Sequence, residues 1–372
     1  MRCLKIAAAM LALGVSMPRA AQSQGNPAYH DLVDAREGFN GVVLVGTGKQ
    51  VRFVEGIGRA DAANGVPMLA NTRFETGSVS KWIASIVVLK LVDQGRLDLD
   101  TPITRYLPDY RADTGARLTL RRLLSHSSGV PNDIQAARKD PATRGIEMDQ
   151  MAAVRRYASG DLAFAPGTEW DYSHSNWLIA KAIVERVSGQ PYAALVDRLL
   201  VRPLGLKDSG IYHGDSGAVR GMAQGYAGLL PEPVRKSNPV PDFMAMAGGY
   251  YTSAPDLMKL MDAVLDGKLL SAAARKALMT TLMPDQHYAL GGRVRTERIG
   301  GVEREAAWED GSNGGFRMLA RRVLADGHTV IVFTNASYDY RELGDLGTAL
   351  LDASYGAGEQ MSRCATGCFS EH

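Results

Sequence analysis

A chain of 372 residues, 45% hydrophobic and 22% charged, can bury a large core as one big domain or as two lobes, and its composition is neither disordered, collagen-like nor repetitive. Forty-two Lys and Arg against 40 Asp and Glu leave a formal net charge of +2 without basic clusters. That balance gives no basis for nucleic-acid binding.

The chain opens with Arg2 and Lys5 ahead of the apolar run Ile6–Val15, followed by the small residues Ala20, Ala21 and Ser23. The pattern predicts a secretory signal peptide over residues 1–23, cleaved near Ala21 to Gln24. The apolar run is too short to span a bilayer and no later stretch is long enough, so stable membrane insertion is not expected. Loss of Arg2, Lys5 and Arg19 takes the formal charge from +2 to about −1. The expected location is periplasmic or secreted.

Next, Phe39–Val45 and Gln50–Gly56 read as two strands joined by a turn at Gly46–Lys49, a hairpin by composition. A polar loop over Asp61–Asn71 leads to Thr76-Gly77-Ser78-Val79-Ser80-Lys81 and the uncharged run Trp82–Leu89. The run is apolar on every face and predicts a helix buried all round, ended by Gln94-Gly95. Ser78 and Lys81, three apart, share one face of its first turn. There the hydroxyl meets unpaired N–H groups and the positive end of the helix dipole. The ammonium lies in apolar surroundings that lower its pKa towards that of a useful base. These are the parts of an activated serine nucleophile; the plainer alternative is an N-cap serine beside a lysine reaching water.

From Leu97 to about Leu282 the pattern is mostly helical. Segments at Thr119–His126, Asp149–Ser159, Trp177–Val187 and Pro191–Leu200 are followed by a helix that Ser253–Asp256 opens as a capping box. The span Lys207–Gly249, with Pro231, Pro233, Pro239 and Pro241, reads as a long irregular loop of the kind that lines a site or its rim. Strands return at Gly292–Arg298, Gly315–Arg322 and Thr329–Phe333, and a helix over about Arg341–Ala353 closes the domain. Strands at both ends around a helical middle predict an α/β (α+β) protein. Its antiparallel sheet is built from both chain ends, with flanking helices and a large inserted helical lobe. The expected organisation is one catalytic domain over 27–355, its sheet lobe at about 27–75 and 287–355 and its helical lobe at about 76–286. A short tail, 356–372, carries Cys364 and Cys368, for which an oxidising compartment favours a local disulfide over a metal site.

Several motifs are set aside. Gly214-Asp215-Ser216-Gly217 imitates a chymotrypsin-type nucleophile segment but lacks the all-β context and the upstream histidine segment. Gly-x-Ser-x-Gly, His-x-x-x-His and a phosphate-binding glycine loop are absent. What stands is an ordered set: Ser78-Val-Ser-Lys81, then Pro166–Trp177 with Asp171-Tyr172-Ser173-His174, then Glu309-Asp310-Gly311-Ser312 ahead of a strand.

With Arg73–Gly77, Gln94–Asp100, Leu123–Pro131, Pro203–Leu206 and Ala247–Gly249 in support, this set resembles the serine β-lactamase and penicillin-binding-protein superfamily. Its style is that of the class C β-lactamase, D-aminopeptidase and esterase branch. The likeness runs from about Phe39 to Asn335. It implies a β-lactamase/transpeptidase-like fold and an acyl-enzyme at Ser78. Lys81 is then the proton acceptor, and Tyr172 shares its proton and protonates the leaving group. The backbone N–H groups of Ser78 and of Ser312, which follows Gly311, form the oxyanion hole. No metal or cofactor is implied.

Two positions depart from the family pattern. Tyr-x-Asn is here Tyr172-Ser173-His174, leaving Asn176 as a substitute, or His174 as a partner of substrate or of Lys81, or as a structural histidine. The third motif has Glu309 where Lys or His is usual, and a carboxylate there repels a substrate carboxylate. His126 reads as structural. The favoured expectation is an exported esterase or D-amino-acid amidase or peptidase acting on a small ester, amide or peptide. A true β-lactamase or D,D-carboxypeptidase is the alternative, and a non-catalytic binding or sensor protein of the same fold is a further one.

Overall fold

The structure, a computed structural model, describes residues 27–367. The expected signal peptide, and Cys368 with its expected disulfide, lie outside the described residues.

The first helix, α1 (Pro27–Asp34), leads into a hairpin of β1 (Gly41–Thr47) and β2 (Gln50–Ile57). After the helical lobe the chain returns as β3 (Arg293–Ile299), β4 (Val302–Asn313), β5 (Phe316–Val323) and β6 (His328–Thr334). These six form one sheet in the order β3-β4-β5-β6-β1-β2, antiparallel throughout. The two chain ends meet where β1 pairs with β6, Gly41 opposite Thr334 and Thr47 opposite His328.

The alternation of side chains along a strand explains why β1 is a continuous apolar run. Val43 and Val45 face one core with α1 and the C-terminal helix, while Val42 and Leu44 face the other, which continues through the helical lobe. Both faces of the sheet are covered, so both sets are buried.

Within the helical lobe, α2 (Val79–Asp93) is buried along nearly its whole length, and Gly95 follows it in the left-handed conformation at φ 67°. Next come α3 (Ile134–Lys139), α4 (Gln150–Tyr157), α5 (Ser175–Ser188) and α6 (Ala254–Leu265), the last capped by Ser253 Oγ accepting from Asp256 N–H. The closing helix, α7 (Tyr340–Gly367), runs well past the expected end at Ala353. Among the described residues no helix is long and apolar enough to cross a membrane.

Two expectations need correcting. β4, the longest strand of the sheet, was not expected: Glu309–Ser312 do stand ahead of a strand, β5, but themselves lie inside β4. The Lys207–Gly249 span is not wholly irregular: Gly210–Ile211 joins a small sheet with Phe74–Glu75 and Tyr250–Thr252, and Tyr226–Gly228 pairs with Val234–Arg235.

Candidate active site

The small sheet fixes the start of α2. Thr76 N–H and Oγ1–H both donate to the Tyr250 carbonyl, at 3.1 and 2.9 Å, and Ser80 Oγ accepts from Tyr250 N–H at 3.0 Å. Ser78 caps nothing with its side chain. Its hydroxyl instead lies 2.7 Å from Tyr172 Oη and 3.3 Å from Lys81 Nζ. The ordinary N-cap alternative is thereby set aside. Lys81 reaches no water: its side chain is buried, and it donates also to the Ala247 carbonyl at 2.8 Å.

On the other side of Ser78 runs the end of β4. The ladder with β3 stops at Arg293 opposite Trp308, so Glu309–Asn313 project beyond β3 with one edge open to α2. The approach is very close: a Cβ on Gly311 would fall 2.0 Å from the Thr76 carbonyl oxygen, and one on Gly77, at φ 50°, 2.5 Å from Ser312 N. Two glycines therefore let the strand and the helix start touch through their backbones. That contact brings the Ser78 and Ser312 segments side by side. Below it, Asn313 donates to Glu75 Oε2 at 2.6 Å and to the Asn238 carbonyl at 2.7 Å.

Tyr172 is held from behind by His126. This buried histidine takes a left-handed backbone at φ 58° and accepts from Ser173 N–H at 3.0 Å. Its ring stacks on that of Tyr172 with centroids 4.4 Å apart. It is structural, as expected. Asn176 is not a substitute for the missing Asn of the second motif. It points into the core, accepting from Ser128 Oγ at 2.6 Å with its amide 3.3 Å from His126 Nδ1.

Ser78, Tyr172, His174, Glu309 and Ser312 line one cavity of about 330 Å3, the size of a small-ligand site. Asn238–Pro241, Met244, Ala247 and Gly248, from the proline-rich span, supply part of its wall.

Burial dominates the electrostatics. It pushes Lys81 well below the ordinary lysine value; the charge of Arg138 pushes the same way and that of Glu309 opposes. The same desolvation pushes Tyr172 up, against its hydrogen bond to Ser78. The tyrosine is thus not lowered towards a base, and of the two groups beside Ser78, Lys81 is the readier acceptor. Burial likewise raises Glu309 to about 8, with Arg293 opposing and Asp310 adding to the rise.

Two arginines escaped the sequence reading. Arg293 NH1 pairs with Glu309 Oε1 at 3.0 Å, its guanidinium over the Tyr288 and Trp308 rings. Glu309 is therefore not the bare negative charge that its replacement of Lys or His implied. Arg138 NH1 lies 2.9 Å from His174 Nε2. His174 is pushed well below the ordinary imidazole value by burial, with the charges of Lys81 and Arg138 adding. It bonds Arg138, not Lys81. Neither arginine belongs to a motif, so spacing carried no signal for them.

Gly214–Gly217 carries no nucleophile: Ser216 Oγ is buried and donates to Glu75.

Comparison with known proteins agrees with this geometry. The family profile described as Beta-lactamase matches residues 29–354. Esterase EstB of Burkholderia gladioli is 31% identical over 359 residues, spanning 84% of this chain and 90% of that protein. The D-stereospecific amidohydrolase from Streptomyces sp. superposes with a TM-score of 0.71 at 24% identity, covering 86% of this chain and 98% of its own. The penicillin-binding protein from Bacillus halodurans does so at 0.72 and 22%, covering 85% and 97%. Three motifs on one cavity, within a fold shared over most of both chains, identify the protein as a member of the β-lactamase family, the serine β-lactamase and penicillin-binding-protein superfamily.

Proposed function

We propose that this chain, a serine hydrolase of the β-lactamase fold, cleaves a small ester or amide through an acyl-enzyme at Ser78. The observation that carries the reading is Ser78 Oγ within 2.7 Å of Tyr172 Oη and 3.3 Å of Lys81 Nζ.

Ser78 Oγ attacks the substrate carbonyl carbon as its proton passes to Lys81 Nζ, directly or by way of Tyr172. The carbonyl electron pair moves onto oxygen, where the N–H groups of Ser78 and Ser312 receive it. Collapse of the tetrahedral adduct breaks the bond to the leaving group. The leaving group takes the Tyr172 proton, and Lys81 restores it to the tyrosine. Water then repeats the sequence on the acyl-enzyme, releasing the acid and free Ser78. EstB, named an esterase, and the Streptomyces amidohydrolase support the ester and amide branches respectively.

A second reading, β-lactamase or D,D-carboxypeptidase, gains one observation: Arg293 stands beside Glu309 and offsets its charge. Intact-mass spectrometry after mixing with p-nitrophenyl acetate, and separately with a penicillin, separates the two. An acetyl adduct present in the wild type and lost in Ser78→Ala, without a penicilloyl adduct, is the result expected. A penicilloyl adduct that forms and turns over would establish the second reading, and no adduct with either reagent would remove the support for an acyl-enzyme.

The export reading is kept as part of the proposal. It predicts a mature N-terminus near Ala21 to Gln24 in protein recovered from the cell envelope or medium, and an unprocessed N-terminus in that fraction would overturn it.

A further inference from the structure

The cavity contains a cation that the chemistry at Ser78 does not use. Arg138 extends from α3 into the wall with Ile134, Met148, Phe243 and Met244 nearby. Among the described residues no carboxylate lies within 4.0 Å of it, whereas Arg293, Arg322 and Lys181 all have acidic partners at 2.8–3.0 Å. Its hydrogen-bond partners are neutral: Gln135 Oε1 at 3.2 Å and His174 Nε2 at 2.9 Å.

Arg138 is partly buried, and desolvating a guanidinium even in part without a counter-charge is unfavourable, a loss that neutral acceptors offset only partly. The acidic groups of the cavity do not supply that counter-charge: Glu309 is engaged by Arg293, and Asp310 also feels Arg293, Arg295 and Arg321. Glu309 and Arg138 line the same cavity as Ser78. Arg138 also presents a planar fork suited to a carboxylate, and His174 holds that fork in place as a positioning residue. Arg144, exposed at the rim of the same wall, adds a second positive charge and has no acidic partner within 4.0 Å among the described residues.

From this we infer that the cavity selects substrates carrying a carboxylate, received by Arg138 while Ser78 attacks a separate ester or amide carbonyl of the same molecule. The inference rests on the serine-hydrolase reading and specifies its substrate class, acyl donors with a second, anionic end.

The test pairs mono-p-nitrophenyl esters of succinate, glutarate and adipate with the same esters methylated at the free carboxylate. The wild type, Arg138→Gln and Arg138→Lys are compared by the ratio of kcat/KM for the acid over its methyl ester, a ratio from which general damage to the enzyme cancels. A wild-type ratio of about ten or more for the best chain length is expected, in line with one charge-assisted hydrogen-bonded pair. It falls towards one in Arg138→Gln, is partly restored in Arg138→Lys, and the change lies in KM.

Binding of the same pairs to Ser78→Ala, by calorimetry, adds a readout independent of turnover. Equal kcat/KM for acid and methyl ester, or a preference that survives Arg138→Gln, overturns the anion site and leaves the hydrolase intact. Absence of turnover and of a Ser78 adduct, with Ser78→Ala still binding the acid about tenfold more tightly, overturns the hydrolase and leaves the anion site. Neither turnover nor preferential binding overturns both.

Discussion

The behaviour of the site at the level of single residues follows from which charges are desolvated. Lys81 is driven below the ordinary lysine value chiefly by burial, so the acid limb of kcat/KM, which reports the free enzyme's base, should fall below the normal lysine range. Arg138 contributes to that depression; Arg138→Gln should therefore move the limb to higher pH. Lys81→Met should cost about 10² to 10⁴ in kcat, the usual size of a lost general base. A pH–rate profile on a neutral ester checks both, and a limb that stays put or moves down in Arg138→Gln would exclude Lys81 as the titrating group. Glu309 makes the complementary case. Its folded value of about 8 stands above the ordinary 4.5, so the folded state holds the proton more tightly than the unfolded one. The stability it confers is fully present below 4.5 and is lost as the pH rises through about 8. The melting temperature of Glu309→Gln, relative to wild type, should accordingly rise between pH 5 and pH 9, and a flat or falling difference would contradict the assignment. Ser78, Lys81 and Tyr172 were legible in the sequence because each sits at a fixed offset within a motif. Arg138 and Arg293 were not, because a lone arginine becomes informative only once the fold shows what lies within reach of its guanidinium.

At the scale of elements, the decisive contact is that of β4 with the start of α2. The sequence carried most of the fold: β1 and β6 are plain apolar runs, α2 is uncharged through its middle, and Ser253 caps α6 as its spacing required. The element it concealed was β4. Glu303, Arg304 and Glu305 open that strand and Glu309 and Asp310 lie near its end. The charges hide the period of two, and one of them, Glu309, is buried beside Arg293 of the neighbouring β3. A cross-strand ion pair leaves no trace in the hydrophobicity of one segment. The two ends of this argument can be separated by mutation. In Gly311→Ala the added methyl meets the Thr76 carbonyl oxygen at 2.0 Å, so the strand must withdraw and take the Ser312 N–H with it. Acylation should slow by about 10² or more, as for loss of one oxyanion donor, and the melting temperature should fall. Ser253→Ala removes only a helix cap, costing about 1 kcal/mol, and should leave the acylation rate of the remaining folded enzyme unchanged. Stopped-flow burst kinetics with thermal melts of both variants make the comparison. Equal acylation rates in Gly311→Ala and wild type would show that the strand-to-helix contact does not position the oxyanion site.

For the whole molecule, the question is whether the sheet lobe and the helical lobe are separable. The buried core argues that they are not. One continuous cluster takes Val42, Leu44, Met318 and Phe333 from the sheet and extends without a break through Ile83, Leu123, Leu178 and Leu257 of the helical lobe. The proposed catalytic constellation crosses the same boundary, with Ser78 and Lys81 at the start of α2, Tyr172 just before α5, and Ser312 on β4. A protein with two independent cores would lose one before the other, and activity would vanish with the weaker. Here neither lobe can bury its apolar face alone, because the apolar face of each is covered by the other. Equilibrium unfolding in guanidinium should therefore show coincident midpoints for three probes, a test of cooperativity in its own right. Esterase activity reports the joined site. Tryptophan fluorescence is weighted to the helical lobe by Trp82, Trp170 and Trp177, with Trp308 in the sheet. Far-ultraviolet ellipticity averages over both. Activity lost at a clearly lower denaturant concentration than ellipticity would mean that the lobes part while each stays folded, and that the shared core does not join them into one cooperative unit.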